Sequence, residues 1–220
     1  IRCVCALMRT YVISDLHGRL DLLEYALAQI EARPVGRVIF TGAYIDRGPD
    51  SAGVVYRIMA GPKNGWLWTP IRGNHENMLL QCRDGDQIGW WMANGGMETL
   101  KSYGGFIPND HVQWMDRLPR LTWDEHRVYT HAGVSEDFDL DSQPEAITQW
   151  FRYPKGANVG WRGMHVVHGH TPQMDGPELY SQRTNLDIGG VFCGRLAVGV
   201  FDDDTPGGPV EIITIMEARA

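Results

Sequence analysis

Thr10-Tyr11-Val12-Ile13-Ser14-Asp15-Leu16-His17-Gly18 joins two kinds of sequence end to end. The apolar, β-branched half reads as a buried strand. The polar half sets a carboxylate and an imidazole at the strand's carboxyl end. Side chains two apart on a strand share a face, so Asp15 and His17 are expected to grip one metal ion. Alone, the pair is a weak signal and reads better as a cap and a surface histidine before a glycine turn.

Outward from this stretch the pattern repeats. Leu20, Leu23, Leu27 and Ile30 fall at helical spacing, and Pro34 and Gly36 stop that helix. Arg37–Thr41 is a second strand. Asp50 and Ser51 cap a helix through Val54, Val55, Ile58 and Met59, ended by Gly61-Pro62. Trp66–Ile71 is a third strand, and Pro70 puts it at a sheet edge or strand end. Alternating strands and helices imply βαβ units and a parallel sheet. Residues 76–126, with Trp90-Trp91, Trp114, Trp123, Asn94-Gly95-Gly96 and Tyr103-Gly104-Gly105, read as a helical subregion packed by aromatics. Tryptophans and methionines are core by default. Strands return at Arg127–Thr130, Met164–Val167, Asn185–Ile188, Arg195–Phe201 and Val210–Met216, the last two forming an antiparallel hairpin across Asp202–Gly208.

Composition narrows the class. The chain has 220 residues, 43 % hydrophobic and 21 % charged, with 20 basic against 27 acidic side chains and net charge −7. This describes an ordinary globular domain and excludes disordered, collagenous and mini-scaffold classes. No Lys/Arg-rich tract marks a nucleic-acid partner, and no run reaches a membrane span. Cys3, Cys5, Cys82 and Cys193 lack disulfide-framework spacing, so reduced thiols and a cytoplasmic setting are expected. Residues 1–7 are too short for a secretory signal and read as an N-terminal extension before Met8. The acidic stretch Asp137–Asp141 reads as a solvated loop.

Four further polar clusters follow strand patterns: Gly42-Ala43-Tyr44-Ile45-Asp46-Arg47-Gly48, Gly73-Asn74-His75-Glu76, His131-Ala132-Gly133 and His168-Gly169-His170-Thr171. In open α/β sheets ligands sit beyond the carboxyl ends of strands, so these clusters are expected to converge on one site. Imidazole, carboxylate and amide oxygen suit Mn, Fe or Zn, and argue against thiolate zinc or all-oxygen calcium sites. Each cluster also has a plain reading. Asn74 is a common helix cap. Asp46-Arg47-Gly48 is an ordinary turn, in which Arg47 is a surface charge or a bidentate phosphate clamp. His131, His168 and His170 are each, singly, more often structural than ligands, and His111, His126 and His165 are left as structural or surface. Arg152 reads as a helix surface charge.

The ordered combination Asp-x-His, Gly-x-x-x-Asp-Arg-Gly, Gly-Asn-His-Glu, His-Ala-Gly and Gly-His-Thr resembles the PPP-type serine/threonine phosphatases of the calcineurin-like metallophosphoesterase superfamily. The resemblance covers nearly the whole chain from Met8. Asn94-Gly95-Gly96 and Asn185-Leu186-Asp187-Ile188-Gly189-Gly190 are similar to the compact bacterial and phage members. It implies a single domain over residues 8–220, an α/β fold with a central β-sandwich of mixed sheets flanked by helices, and a small helical subregion. It implies two divalent metal ions, with Mn ahead of Fe or Zn. Asp15, His17 and His170 would hold one, Asn74 and His131 the other. His75 resembles the general acid, oriented by Asp46, and Arg47 and Arg152 resemble the phosphate clamps. The implied reaction is direct attack of a metal-bridging hydroxide on a phosphomonoester, without a cysteine or serine nucleophile. The implied partner is a phosphoprotein or phosphopeptide, with no obligate subunit.

One position departs from the family pattern. An acid directly after the first glycine of the second block bridges both metals in the family; here it is Ala43. Two dications about 3.5 Å apart repel by roughly 19 kcal/mol at an effective dielectric of about 20, and a bridging carboxylate relieves part of that. Weakened metal occupancy and impaired turnover are therefore expected. With every other motif residue intact, the change fits an engineered inactivation; natural divergence is the alternative. Four functions compete: a phosphatase on phosphoserine and phosphothreonine proteins (phosphotyrosine included), a diadenosine tetraphosphatase, a phosphodiesterase, and a non-catalytic phosphate-binding relative. Asp46 before Arg47, and Glu76 after His75, favour the first.

Overall fold

Two five-stranded sheets face each other across an apolar layer. The computed structural model describes residues 8–63, 65–82 and 87–217. In chain order the elements are β1 (Arg9–Ile13), α1 (Leu20–Glu31), β2 (Arg37–Phe40), α2 (Ser51–Met59), β3 (Leu67–Pro70), α3 (Asn74–Gln81), α4 (Ile88–Trp91), a π-helical turn (Met92–Gly96), α5 (Met97–Ser102) and α6 (Asn109–Arg117). There follow β4 (Leu121–Trp123), β5 (Arg127–Thr130), a 3-10 turn (Leu140–Ser142), α7 (Glu145–Trp150), β6 (His165–His168), β7 (Glu178–Leu179), β8 (Arg183–Asn185), α8 (Gly190–Cys193), β9 (Arg195–Asp202) and β10 (Glu211–Met216).

The first sheet has the order β10-β9-β1-β2-β3, the second β4-β5-β6-β8-β7. In the first, β1, β2 and β3 are parallel, and β9 joins β1 and β10 antiparallel. In the second, β5, β6 and β8 are parallel and the outer strands antiparallel. The expected parallel sheet is thus the middle of a mixed one, and Pro70 sits on an edge strand, where its missing N–H leaves no ladder bond unmade. Val12 and Ile39 of the first sheet meet Tyr129 and Val167 of the second, with Tyr129 edge-to-face on Phe201 at 6.3 Å. The other face of the first sheet packs on α1 and α2 through Leu23, Leu27, Ile30, Val54, Val55 and Ile58.

Several boundaries differ from expectation. Asn185–Ile188 is not a strand. The strand lies earlier, at Arg183–Asn185, and Asp187 and Gly189 belong to a turn in which Gly189 N–H donates to Asp187 Oδ1 at 2.8 Å. The helical subregion ends at Arg117, because Leu121–Trp123 pairs with β5. Trp90 and Trp123 are exposed, so the tryptophans are not uniformly core. Cys82 and Cys193 are free thiols, whereas Cys3, Cys5 and the 1–7 extension lie outside the described residues. Among the described residues no helix is long and apolar enough to cross a membrane. All five polar clusters follow the carboxyl ends of parallel strands β1, β2, β3, β5 and β6, which the two sheets bring together.

Candidate metal centre

The loop after β1 leaves the strand at once. Asp15 and His17 have φ 48° and 42°, so a left-handed turn, not strand alternation, presents both side chains. Such a backbone at non-glycine residues costs of order 1–3 kcal/mol each, and positions of this kind concentrate at functional sites. Four more lie here: Ala43 (φ 56°), Asp46 (74°), Arg47 (70°) and His170 (68°). Gly169 is required by crowding. A Cβ there would stand 1.8 Å from Ser14 Oγ and 1.9 Å from Asp15 Oδ2. Without it, the His170 N–H reaches Asp15 Oδ2 at 3.0 Å and Ser14 donates to the same oxygen.

Glu76 organises the second and third clusters. Fully buried, it accepts from the backbone N–H of Ala43 at 3.0 Å, Tyr44 at 2.7 Å and Gly73 at 2.9 Å. It stands three residues after Gly73 at the start of α3, the position from which a glutamate reaches back to the cap. Gly73 must be small, since a Cβ would meet Ala43 N at 2.6 Å. The Ala43 carbonyl in turn accepts the His17 N–H at 2.8 Å.

The predicted residues come together. Asp15, His17, Arg47, Asn74, His75, Arg152 and His170 line one cavity of about 250 Å³, joined by Asn94, Trp150, Pro172 and Phe192. His131 is buried beside it, its ring 5.0 Å from that of His170. His168 is outside the cavity and hydrogen-bonds Arg183 Nη1 through Nε2 at 2.8 Å, as a structural histidine does. His165 is held by Thr184 at 2.9 Å, and His111 by Tyr103 at 3.0 Å.

The donor atoms fit metal ions in their chemistry. His17 Nδ1 sits 2.9 Å from the Ile45 carbonyl and His131 Nδ1 2.9 Å from the Thr41 carbonyl, so each Nδ1–H donates outward and leaves a lone pair on Nε2. His170 Nε2 is buried without a partner. His131 Nε2 stands 2.8 Å from Asn74 Oδ1, an acceptor facing an acceptor. Ligands at right angles on a metal with bonds of about 2.0–2.1 Å lie about 3 Å apart, so the pair has the spacing of neighbouring ligands. Burial pushes His131 down to about 4. Burial, His131 and Arg152 push His170 down to about 2, while burial, His75 and Arg47 hold His17 well below its usual value. Neutral imidazoles are the form that binds metal. Asp15 is raised to about 6 by burial, against the Ser14 hydrogen bond. The cage is not closed, however. Among the described residues no three His, Cys, Asp or Glu side chains stand together as a complete metal cage, Arg47 Nη1 hydrogen-bonds His17 Nε2 at 3.0 Å, and Ala43 offers no side-chain oxygen.

Beside the donors lies an acid–base pair. His75 Nδ1 and Asp46 Oδ2 are 2.7 Å apart, both buried. Burial lowers His75 well below its usual value and lifts Asp46 to about 7, opposed by hydrogen bonds from Thr99 and Trp91. Burial thus disfavours charging both groups, and the short bond holds one proton between them. The sequence pattern gives no place in the site to Thr99 or Asp187, reads Trp91 only as packing, and uses Glu76 only to discriminate between functions. Thr99 and Trp91 are invisible to local pattern because they meet Asp46 across the fold. Asp187 is buried and raised well above its usual value, first by burial and then by Asp15. Its signal was the Asn185–Gly190 motif.

A profile of the calcineurin-like phosphoesterases matches residues 8–194. Serine/threonine-protein phosphatase 1 of Salmonella typhimurium is 27 % identical over 207 residues, covering 86 % of this chain and 89 % of that protein. A bis(5'-nucleosyl)-tetraphosphatase, PrpE, of Oceanobacillus iheyensis is 24 % identical over 236 residues, covering 89 % and 90 %. A crystal structure of a proposed diadenosine tetraphosphatase superposes with a TM-score of 0.72 at 25 % identity, covering 98 % of this chain and 96 % of that one.

Proposed function

This chain belongs to the calcineurin-like phosphoesterases, and on that premise we propose that it hydrolyses phosphomonoesters on phosphoserine and phosphothreonine side chains of proteins. The observation that carries the reading is the His75–Asp46 pair at 2.7 Å, opening on the cavity that Arg47 and Arg152 share. Alkoxide leaving groups need a proton as the P–O bond breaks; His75 is placed to give it, with Asp46 on Nδ1 aiming the ring. Arg47 and Arg152 neutralise the equatorial oxygens of the transferring phosphoryl group. Divalent metal ions, Mn first among Mn, Fe and Zn, would be held by Asp15, His17 and His170 and by Asn74 and His131, and would supply an acidified water as nucleophile. In our reading the partner is a phosphoprotein and the setting cytoplasmic, in keeping with the free thiols Cys82 and Cys193.

Ala43 occupies the bridging position in this reading, and we expect the chain as written to bind phosphate and turn over poorly. Its left-handed backbone is one that Asp and Asn adopt more readily than Ala. A dinucleoside tetraphosphate is the second reading, supported by the similarity to PrpE of Oceanobacillus iheyensis. The test is hydrolysis by the Ala43→Asp form at saturating Mn²⁺ of a phosphoserine peptide, p-nitrophenyl phosphate, bis-p-nitrophenyl phosphate and diadenosine tetraphosphate. The highest kcat/KM on the peptide is expected; the highest on the tetraphosphate would replace the first reading with the second.

A further inference from the structure

Helix α7 ends at Trp150, and the chain leaves it through Phe151 in extended backbone, φ −63° and ψ 140°, followed by Arg152 and Tyr153 outside any helix or strand. Extended backbone sends successive side chains to opposite sides. Trp150 and Arg152 line the metal cavity, while Phe151 and Tyr153 line a second, larger cavity of about 450 Å³. Its remaining walls include Val134, Ile147 and Val159, and its rim carries Glu136 and Asp137. One segment of backbone is therefore the partition between the two.

The partition is braced. Phe151 and Tyr153 pack edge-to-face at 4.9 Å, and the Tyr153 hydroxyl accepts the Val134 N–H at 3.2 Å. Arg183 stacks on Tyr153 with Cζ 4.7 Å from the ring. Gly133 lets Phe151 settle, since a Cβ there would come within 2.9 Å of Phe151 Cδ1. Phe151 is still 38 % exposed and Val159 47 %, so apolar surface is open to a ligand.

Charge selects the occupant. Two arginines face the metal cavity, and two carboxylates rim the neighbouring groove. Among the described residues neither Glu136 nor Asp137 has an ion-pair partner: the Arg162 guanidinium pairs with Asp139 and donates to the Glu136 carbonyl at 3.0 Å, Glu136 Oε1 accepts only the Arg162 backbone N–H at 2.7 Å, and Asp137 accepts the Ser135 hydroxyl at 3.1 Å. A ligand spanning both needs an anion at one end and an apolar group followed by a cation at the other. A phosphopeptide carries that pattern, whereas a dinucleoside tetraphosphate has a run of negative charge and no cation to meet the rim.

Resting on the phosphoprotein reading above, we infer that the groove walled by Val134, Phe151, Tyr153 and Val159 is a substrate-docking subsite. It takes an apolar side chain two or three residues from the phosphorylated one, with a Lys or Arg beside it at Glu136 and Asp137. At about 3.3 Å per extended residue that spacing covers roughly 7–10 Å, enough to cross a partition one residue thick. An aromatic or aliphatic anchor in an apolar pocket is the usual source of selectivity at such sites.

The test is binding of fluorescein-labelled phosphoserine peptides to the full chain with Mn²⁺, read by anisotropy. Phe, followed by Lys, is placed at each position from four before to four after phosphoserine in an otherwise Ala/Gly peptide. About tenfold tighter binding is expected at one position within three residues, from burial of one apolar side chain. Val159→Asp should erase that gain with inorganic phosphate affinity kept, and Glu136→Lys should reverse the preference for Lys. Equal binding of all peptides, or equal loss of peptides and phosphate in Val159→Asp, overturns the proposal. So does weakening of diadenosine tetraphosphate by Val159→Asp with phosphopeptides untouched, which would make the groove a base pocket. Failure of the parent reading looks different: the Ala43→Asp form would then hydrolyse the tetraphosphate and none of the phosphopeptides.

Discussion

The indole Nε1–H of Trp91 donates to the Asp46 carboxylate, at 2.9 Å from Oδ1 and 3.1 Å from Oδ2. The Thr99 hydroxyl donates to Oδ1 at 2.7 Å while accepting the Asp46 backbone N–H at 2.8 Å. The Asn94-Gly95-Gly96 turn makes these contacts possible. Gly95 carries φ 104° and brings its carbonyl to the Arg47 N–H at 3.3 Å, and Gly96 lies against the Trp91 ring, where a Cβ would stand 2.6 Å from Cδ2. The helical subregion thus reaches the candidate site through Asp46, whose carboxylate it clamps within 2.7 Å of His75 Nδ1.

Loss of that clamp should show as a leaving-group effect. In an Ala43→Asp background, Thr99→Val is expected to lower turnover of phosphoserine peptides about tenfold or more and of p-nitrophenyl phosphate much less, because nitrophenolate leaves without a proton. Thr99→Ser keeps the hydroxyl and should restore the ratio. Steady-state kinetics on both substrates decide it, and equal losses would make Thr99 merely structural.

Ala43→Asp itself should raise metal stoichiometry and recover orders of magnitude in turnover at saturating Mn²⁺, each factor of ten needing about 1.4 kcal/mol of transition-state stabilisation. Calorimetric titration and kinetics on the two forms check it. Full activity of the Ala43 form would remove this position from the bridging role.

Metal affinity should depend on pH through Asp15. Its carboxyl is raised to about 6 by burial, so below that pH the ion must displace a proton. Affinity is expected to fall about tenfold per pH unit under pH 6 and to level off above it, with proton release on binding. Mn²⁺ titrations at pH 5, 6 and 7.5 in buffers of differing ionisation enthalpy read both effects. A flat profile would place the metal away from Asp15.

Gly169→Ala should be more harmful than its size suggests. Its Cβ has no room beside Ser14 Oγ and Asp15 Oδ2, so the β6 loop must shift. A loss of about 2 kcal/mol or more in unfolding free energy is expected, as for other overpacked buried sites, together with weaker metal binding. Denaturant melts and Mn²⁺ titration measure the two.

Glu76 offers a test of the loop scaffold. Glu76→Gln keeps the shape but replaces one of the acceptor oxygens with a donor facing a donor, among the N–H groups of Ala43, Tyr44 and Gly73. A destabilisation of about 1–3 kcal/mol is expected from the unsatisfied buried group, measured by thermal unfolding of the metal-free chain.

Much of this molecule was legible in one dimension. Thr10–Ser14, Arg37–Thr41 and Arg127–Thr130 are short β-branched runs whose strand character needs no partner to be recognised. The Asp50 cap, bonded to the Gly53 N–H at 2.8 Å, is a contact between near neighbours in sequence. Asp15, His17, Asn74, His75, His131 and His170 were readable as one set because parallel strands all present their carboxyl ends to the same side. What only the tertiary structure decided lies in contacts between distant residues and in backbone torsions. Asp15 and His17 are presented by positive φ, which no period encodes. Thr99 meets Asp46 from 53 positions away, and Glu76 meets Tyr44 from 32. The strand expected at Asn185–Ile188 moved to Arg183–Asn185, because pairing with β6 set its limits. Local propensity carries periodicity and caps; which buried carboxylate meets which hydroxyl is settled when the two sheets close on one another.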